Sequence, residues 1–372
     1  MLIVVLVVTV ALLAYANGSN DNFKAVATLY GSGTLSYRAA LALASVAQLV
    51  GSIASVALAG ALLKAFGGKG LVPEAVVSEP AFLVSIGLAA GLTVLLATRL
   101  GFPISTTHGL IGGLAGAAIA MAPAEIAWAS LGSKYFVPLL VSPVLAILGA
   151  GVLYPLFRMG RRAMGVTETT CLCVGRRVTP VQVLCDGSVM CRESGVELTV
   201  SDQSRCERRY EGRLVGIPAQ RVVDVLHILS GSALGFARGL NDTPKVLALL
   251  VAASWSGLDA RLSLGIVAVF MCAGGLIHSA KLARTLGLRI TEMNRGQGLV
   301  ANLVSSSLVI GASGLGLPVS TTHVSTGAIF GIGLWSGRTD WSMIVRIVAA
   351  WVVTLPTAGL IGFAAGSLLR TS

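Results

Sequence analysis

Charge is what this sequence has least of: 12% of its 372 residues are Asp, Glu, Lys or Arg, against 55% hydrophobic. A water-soluble domain of this length needs a charged surface, so a soluble enzyme or binding module is excluded. Histidine is sparse too, with four residues in all. Those at 108 and 323 lack the neighbouring Glu or Cys of a zinc site, and no nucleophile motif supports a membrane-embedded enzyme. What the chain does have is length of apolar run, with a mean hydropathy of +0.84. Runs at 41–63, 81–96, 137–156 and 344–369 are long enough, or nearly so, to cross a bilayer. The first apolar run starts at Met1 without a cationic leader, and is expected to be a span rather than a cleaved signal.

The scarce charge is concentrated. Residues 158–221 hold eleven Arg and seven Asp or Glu. Arg158, Arg161 and Arg162 close an apolar run, as cytoplasmic flanks do. This basic stretch holds a single aromatic, Tyr210, and alternates in sign, which argues against nucleic-acid binding. Five of the six cysteines lie here: Cys171, Cys173, Cys185, Cys191 and Cys206. Their gaps match no common zinc or iron–sulfur spacing, and reduced thiols are expected in a cytosolic loop. Alternating residues at 178–184 and 196–200 suggest a small β-rich insert.

Two membrane halves, 1–157 and 222–372, flank this loop. With the loop inside, the 281–295 connection, carrying Lys281, Arg284, Arg289 and Arg295, falls on the cytoplasmic side. The matching connection near 64–80 balances Lys64 and Lys69 with Glu74 and Glu79 and falls outside. Corresponding loops on opposite faces predict inverted-topology repeats. The expected fold is an all-α polytopic membrane protein of roughly ten to twelve membrane segments, with the N-terminus outside. The expected breaks are broken helices or re-entrant hairpins, because Pro103 and Pro318 interrupt apolar stretches.

The halves also repeat in detail. Gly-Phe-Pro-Ile-Ser-Thr-Thr-His at 101–108 returns as Gly-Leu-Pro-Val-Ser-Thr-Thr-His at 316–323. Each follows an Asn-Asp dyad with a lysine three positions on: Asn20, Asp21 and Lys24, then Asn241, Asp242 and Lys245. Glycines follow each histidine at plus four and plus eight, Gly112 and Gly116, then Gly327 and Gly331, and permit close helix packing.

An ionised Asp inside a bilayer costs a few kcal/mol, so Asp21 and Asp242 must face protein, a cavity or an ion. The polar runs 16–22 and 238–244 are expected to break their helices, exposing carbonyls to a cation and N–H groups to an anion. The alternative is an i,i+3 salt bridge at a membrane edge; its recurrence in matched repeats favours a site. One hydroxyl would cap a helix, yet Ser105, Thr106 and Thr107, and again Ser320, Thr321 and Thr322, supply three. The surplus hydroxyls with a helix N-terminus suit a tetrahedral oxyanion. His108 and His323 are expected to fix the turn from behind by hydrogen bonding.

Two Asn-Asp sites, each paired with a Pro-[Ile/Val]-Ser-Thr-Thr-His segment around a hydrophilic loop, closely resemble the inorganic phosphate transporter (PiT) family over 1–157 and 222–372. The resemblance implies symport of inorganic phosphate with sodium or protons, no cofactor, an inverted-repeat fold and a homodimer in the cell membrane. It places Asn20, Asp21, Asn241 and Asp242 around the driving cation and beside the anion. Ser105, Thr106, Thr107, Ser320, Thr321 and Thr322 line the phosphate site. Lys24 stands where many relatives carry Asn; it either adds a counter-charge for phosphate or replaces one cation.

A coupled symporter also suits the energetics. An inside-negative potential opposes anion influx by about 2.3 kcal/mol per charge per 100 mV, so uptake needs accompanying cations. A channel gives no reason for two carboxylates at helix breaks. The competing readings are a symporter of sulfate, arsenate or a metal–phosphate complex, and a phosphate sensor in which the cysteine loop regulates.

Overall fold

The computed structural model describes residues 2–66, 70–167, 169–183, 189–202, 215–253, 255 and 257–370. Lys69, Cys185, Cys206 and Tyr210 lie outside the described residues. Among the described residues ten long helices carry the fold, five before the cysteine loop and five after it. They are α1 Leu2–Asp21, α2 Tyr37–Leu58, α3 Pro80–Leu100, α4 Thr106–Met121 and α5 Val137–Ala163. Then follow α6 Ala219–Ala252, α7 Ala260–His278, α8 Arg295–Gly314, α9 Thr321–Ser336 and α10 Trp341–Arg370.

Six helices among the described residues are long and apolar enough to span a membrane, beginning at Leu2, Tyr37, Pro80, Trp128, Ala260 and Trp341. Of the others, α4 and α9 are 16 residues long, and α6 carries the buried Arg238, Asp242 and Lys245. The apolar surface is turned outward: Val46, Val50 and Ile53 on α2, Leu140 and Leu148 on α5, and Val345 and Val352 on α10 are exposed. Asp21, Lys24, Arg238, Asp242 and Lys245 are buried instead. This inversion of the soluble pattern is what a hydrocarbon solvent requires.

Local signals set the helix ends. Asn294 and Gln297 form a reciprocal capping box at the start of α8, each bond 2.9 Å long. Asp259 caps α7 through the N–H groups of Arg261 and Leu262. Helices α3 and α8 run into left-handed glycines, Gly101 (φ 82°) and Gly316 (φ 71°). A proline two residues later prevents helical continuation. Ser105 and Ser320 then open α4 and α9 by accepting the N–H of His108 and His323, both at 3.2 Å.

The two polar runs behave differently. Helix α1 ends at Asp21 and passes into a 3-10 turn, Asn22–Ala25. Helix α6 continues unbroken through Pro244, which corrects the expected second break. The polar side chains of Asn241 and Lys245 reach the carbonyl of Val319 directly, so the helix does not need to open to satisfy them.

Helices of one half seat in the other. A methyl group added at Gly18 of α1 would collide with the Met271 carbonyl oxygen of α7, and one at Gly239 of α6 with that of Gln48 in α2. Likewise Gly116 of α4 lies directly against the Gly359 carbonyl of α10, and a methyl at Gly331 of α9 would stand 2.6 Å from that of Ile147 in α5. Only glycine admits a backbone this close.

The segment Tyr154–Leu226 is a compact unit of its own. It contains a three-stranded antiparallel sheet, β1 Thr170–Val183, β2 Val189–Asp202 and β3 Val215–Pro218, in the order β2-β1-β3. Cys171 is a free thiol, whereas Cys173 is disulfide-bonded. The expectation of reduced thiols therefore fails at Cys173, which lies on β1 opposite Thr199 of β2.

Candidate functional site

The end of α1, the middle of α6 and the two Pro-to-Ser segments meet in one buried cluster. Asn20, Asp21, Lys24, Ser105, Thr106, Thr107, Asn241, Asp242, Lys245, Ser320, Thr321 and Thr322 are all buried. In the first half, Thr106 Oγ1 donates to Asp21 Oδ2 at 3.0 Å, and Asn17 Nδ2 donates to the same oxygen at 2.9 Å. Asn20 Nδ2 donates to Thr98 Oγ1 and to the Phe102 carbonyl, while its Oδ1 accepts the Ile104 N–H. In the second half, Thr321 Oγ1 donates to Asp242 Oδ2 at 3.5 Å and Asn241 Nδ2 to Asp242 Oδ1 at 3.0 Å. Ser313 donates to Asn241 Oδ1.

The lysines cross between the halves. Lys24 Nζ bonds its own Asp21 and Asn20 and also Thr322 of the second motif. Lys245 Nζ bonds Asp242 and, at 2.9 Å, Thr107 of the first motif. Thr322 donates to the Ile104 carbonyl at 2.7 Å and Thr107 to that of Val319 at 3.4 Å. Each threonine thus links the opposite lysine to the opposite break.

Arg238 is a site residue that sequence reasoning left without a role. It is fully buried, and its Nη1 and Nη2 donate to Asn22 Oδ1 and Asn17 Oδ1, both at 3.0 Å. Its Nε lies 3.7 Å from Asp242 Oδ2. The signal was present: Arg238 lies four residues before Asp242, as Asn17 lies four before Asp21. Residues at i and i+4 share a helix face. Two carboxylates against two lysines and one arginine leave one positive charge in excess. A buried charge of this kind requires a partner.

The histidines lie behind the motifs. The rings of His108 and His323 meet edge to face with centroids 4.6 Å apart, and His323 packs on Trp351 at 4.0 Å. His323 Nδ1 lies 3.3 Å from the Leu139 carbonyl, and Trp351 Nε1 donates to that of Pro103. The turns are held by Ser105, Ser320 and Trp351, together with Asn20, Lys24 and Thr322 on the first and Asn241, Lys245 and Thr107 on the second.

A cavity of about 1240 Å³ reaches this region, lined among others by Lys64, Glu74, Lys134, Tyr135 and Pro318. Tyr135 packs edge to face on Phe66, whose ring centroid is 5.8 Å from Lys245 Nζ. Tyr135 on the cavity wall is thus linked through Phe66 to Lys245 of the charged cluster.

A helical bundle that is apolar outside and charged at its centre has the build of a membrane transporter, and its family and relatives are transporters and permeases, not enzymes. The model of the phosphate transporter family matches residues 17–362, and the chain belongs to that family. It is 30% identical, over 97% of its length and 76% of the relative's, to a probable low-affinity inorganic phosphate transporter of Mycobacterium bovis. A protein of the same description from Mycobacterium leprae is 27% identical over the same shares. Among solved structures, a sodium-dependent phosphate transporter is similar with a TM-score of 0.74 and 21% identity, covering 100% of this chain and 99% of that one.

Proposed function

We propose that this protein imports inorganic phosphate across the cell membrane by cation-coupled symport and alternating access. The observation that carries the reading is the buried cluster with one excess positive charge, ringed by hydroxyls at two helix N-termini. Arg238, Lys24 and Lys245 supply the charge that a phosphate would neutralise. Ser105, Thr106, Thr107, Ser320, Thr321 and Thr322 supply donors for a tetrahedral oxyanion. Asn20, Asp21, Asn241 and Asp242 supply oxygens for the coupling cation, sodium or a proton.

The family and the mycobacterial relatives support phosphate as the substrate, and the sodium dependence of the solved neighbour makes sodium a candidate coupling ion beside the proton. We read the halves as inverted repeats, with residues 158–221 cytoplasmic, the N-terminus outside and the protomer paired in a homodimer. The cavity beside Tyr135 is the mouth on one side, and Phe66 with Tyr135 is the barrier that moves. Sulfate, arsenate or a metal–phosphate complex is the second reading, since the hydroxyls and cations here recognise oxyanion shape and charge alike.

The test is radiolabelled phosphate uptake into proteoliposomes under separately imposed sodium and proton gradients. Concentrative uptake under one of them, lost in Asp21→Asn, is expected. Uptake of sulfate in preference to phosphate would overturn the substrate assignment.

A further inference from the structure

The oxygens around Lys24 outnumber what an ammonium group uses. Its Nζ faces Asn20 Oδ1 at 2.9 Å, the Ile104 carbonyl at 2.8 Å, Thr322 Oγ1 and Asp21 Oδ1. That is one amide, one main-chain carbonyl, one hydroxyl and one carboxylate: four acceptors for three N–H donors. A salt bridge with Asp21 alone would need none of the other three. Oxygens converging on one point from a helix end, a chain break and a hydroxyl make the ligand set of a hard spherical cation.

The second half repeats the arrangement. Lys245 Nζ faces the Val319 carbonyl at 2.7 Å, Thr107 Oγ1 at 2.9 Å and Asp242 Oδ1 at 3.4 Å. Ile104 and Val319, Thr322 and Thr107, and Asp21 and Asp242 are corresponding residues of the two motifs. Here the matching amide oxygen, Asn241 Oδ1, accepts from Ser313 instead.

We propose that Lys24 and Lys245 are tethered cations, each ammonium occupying an oxygen shell in which a free sodium ion would otherwise sit. This rests on the transport reading above and chooses between its two candidate coupling ions, the proton over sodium: neither shell takes up sodium while its lysine is in place. The two lysine charges that face phosphate then stay with the protein and do not cross with the substrate. The specificity determinant for the coupling ion is the residue three positions after each Asn-Asp dyad.

The test compares the purified full-length protein with Lys24→Ala and Lys245→Ala, in sodium chloride and in choline chloride at equal ionic strength. Radioactive sodium binding and thermal unfolding are measured first. The wild type is expected to bind no sodium saturably and to unfold at the same temperature in both salts. Lys24→Ala is expected to bind sodium saturably and to gain thermal stability in sodium chloride that choline chloride does not give. In proteoliposomes, wild-type phosphate uptake is expected to be indifferent to sodium, and uptake by Lys24→Ala to rise several-fold with it.

Saturable sodium binding by the wild type, or sodium-stimulated uptake by it, overturns the proposal whether or not the variants fold. Folded variants that bind no sodium overturn it as well. If the wild type moves no phosphate under any gradient, the transport reading fails, while the binding comparison still decides what the lysines occupy.

Discussion

Replacing Arg238 by Met tests the charge balance of the cluster. The wild-type core holds three cations and two carboxylates; the variant holds two of each. Arg238 shares its carboxylate, since Asp21 bonds Lys24 and Asp242 lies 3.4 Å from Lys245 as well as 3.7 Å from Arg238 Nε. Its removal takes away a charge that is buried but only partly balanced. It also leaves Asn17 Oδ1 and Asn22 Oδ1 without the donors that reach them at 3.0 Å. A buried acceptor left unpaired costs about 1–3 kcal/mol, so the fold should weaken without being lost.

The larger effect falls on anion binding. One unit charge at about 10 Å and an effective dielectric near 20 is worth about 1.7 kcal/mol per charge on the anion, more than tenfold in Kd. The assay is thermal unfolding against phosphate concentration. Ligand at 100 times Kd stabilises a protein by about 2.7 kcal/mol, and a tenfold loss of affinity shifts the whole titration one decade to the right. Arg238→Lys, which keeps the charge but not the planar fork, should fall between the two. A phosphate titration of Arg238→Met that superimposes on the wild type would refute the idea that the excess charge faces the substrate.

Asp21→Asn and Asp242→Asn should each abolish concentrative uptake in a folded protein; wild-type uptake rates in either would show that the carboxylates are not part of the transport site. Gly116→Val should prevent stable assembly, because its side chain would meet the Gly359 carbonyl, whereas Gly265→Val, with open space around it, should express normally; equal yields of monodisperse protein would contradict this. Ser105→Ala and Ser320→Ala should each cost about 1 kcal/mol through loss of the N-cap, read as a lowered Tm that Ser→Asp recovers in part. Deleting 171–206 should leave phosphate uptake intact in proteoliposomes, with loss of uptake tying the sheet to transport itself.

The polar words inside apolar runs announced the cluster, because a bilayer gives Asp21 or Thr322 nowhere else to go than inward. The breaks at Pro103 and Pro318 and the caps at Ser105 and Ser320 were equally legible, since proline and hydroxyl caps act within a few residues. The pairing between halves was not. Lys24 meets Thr322 298 positions away, and no local period encodes which helix of the other half a residue touches. For the same reason Arg238 was visible as a cation but not as the partner of Asn17 and Asn22. The unbroken course of α6 through Pro244 was hidden because proline's local preference for a kink is overruled by contacts with Val319 and Thr107. The edge-to-face histidine pair likewise depends on the meeting of two chain breaks, which spacing alone does not reveal.

The crossed lysines have a consequence for how the protein is made. When α1 enters the membrane, Thr322 has not been synthesised, and the first cluster is missing a partner from the far end of the chain. Asp21 and Lys24, three positions apart, form a neutral pair within their own segment and travel into the bilayer as one. Pairing of this kind lowers the cost of carrying Asp21 into the bilayer, so an N-terminal half expressed alone is expected to persist in the membrane and to be completed by a separately expressed C-terminal half.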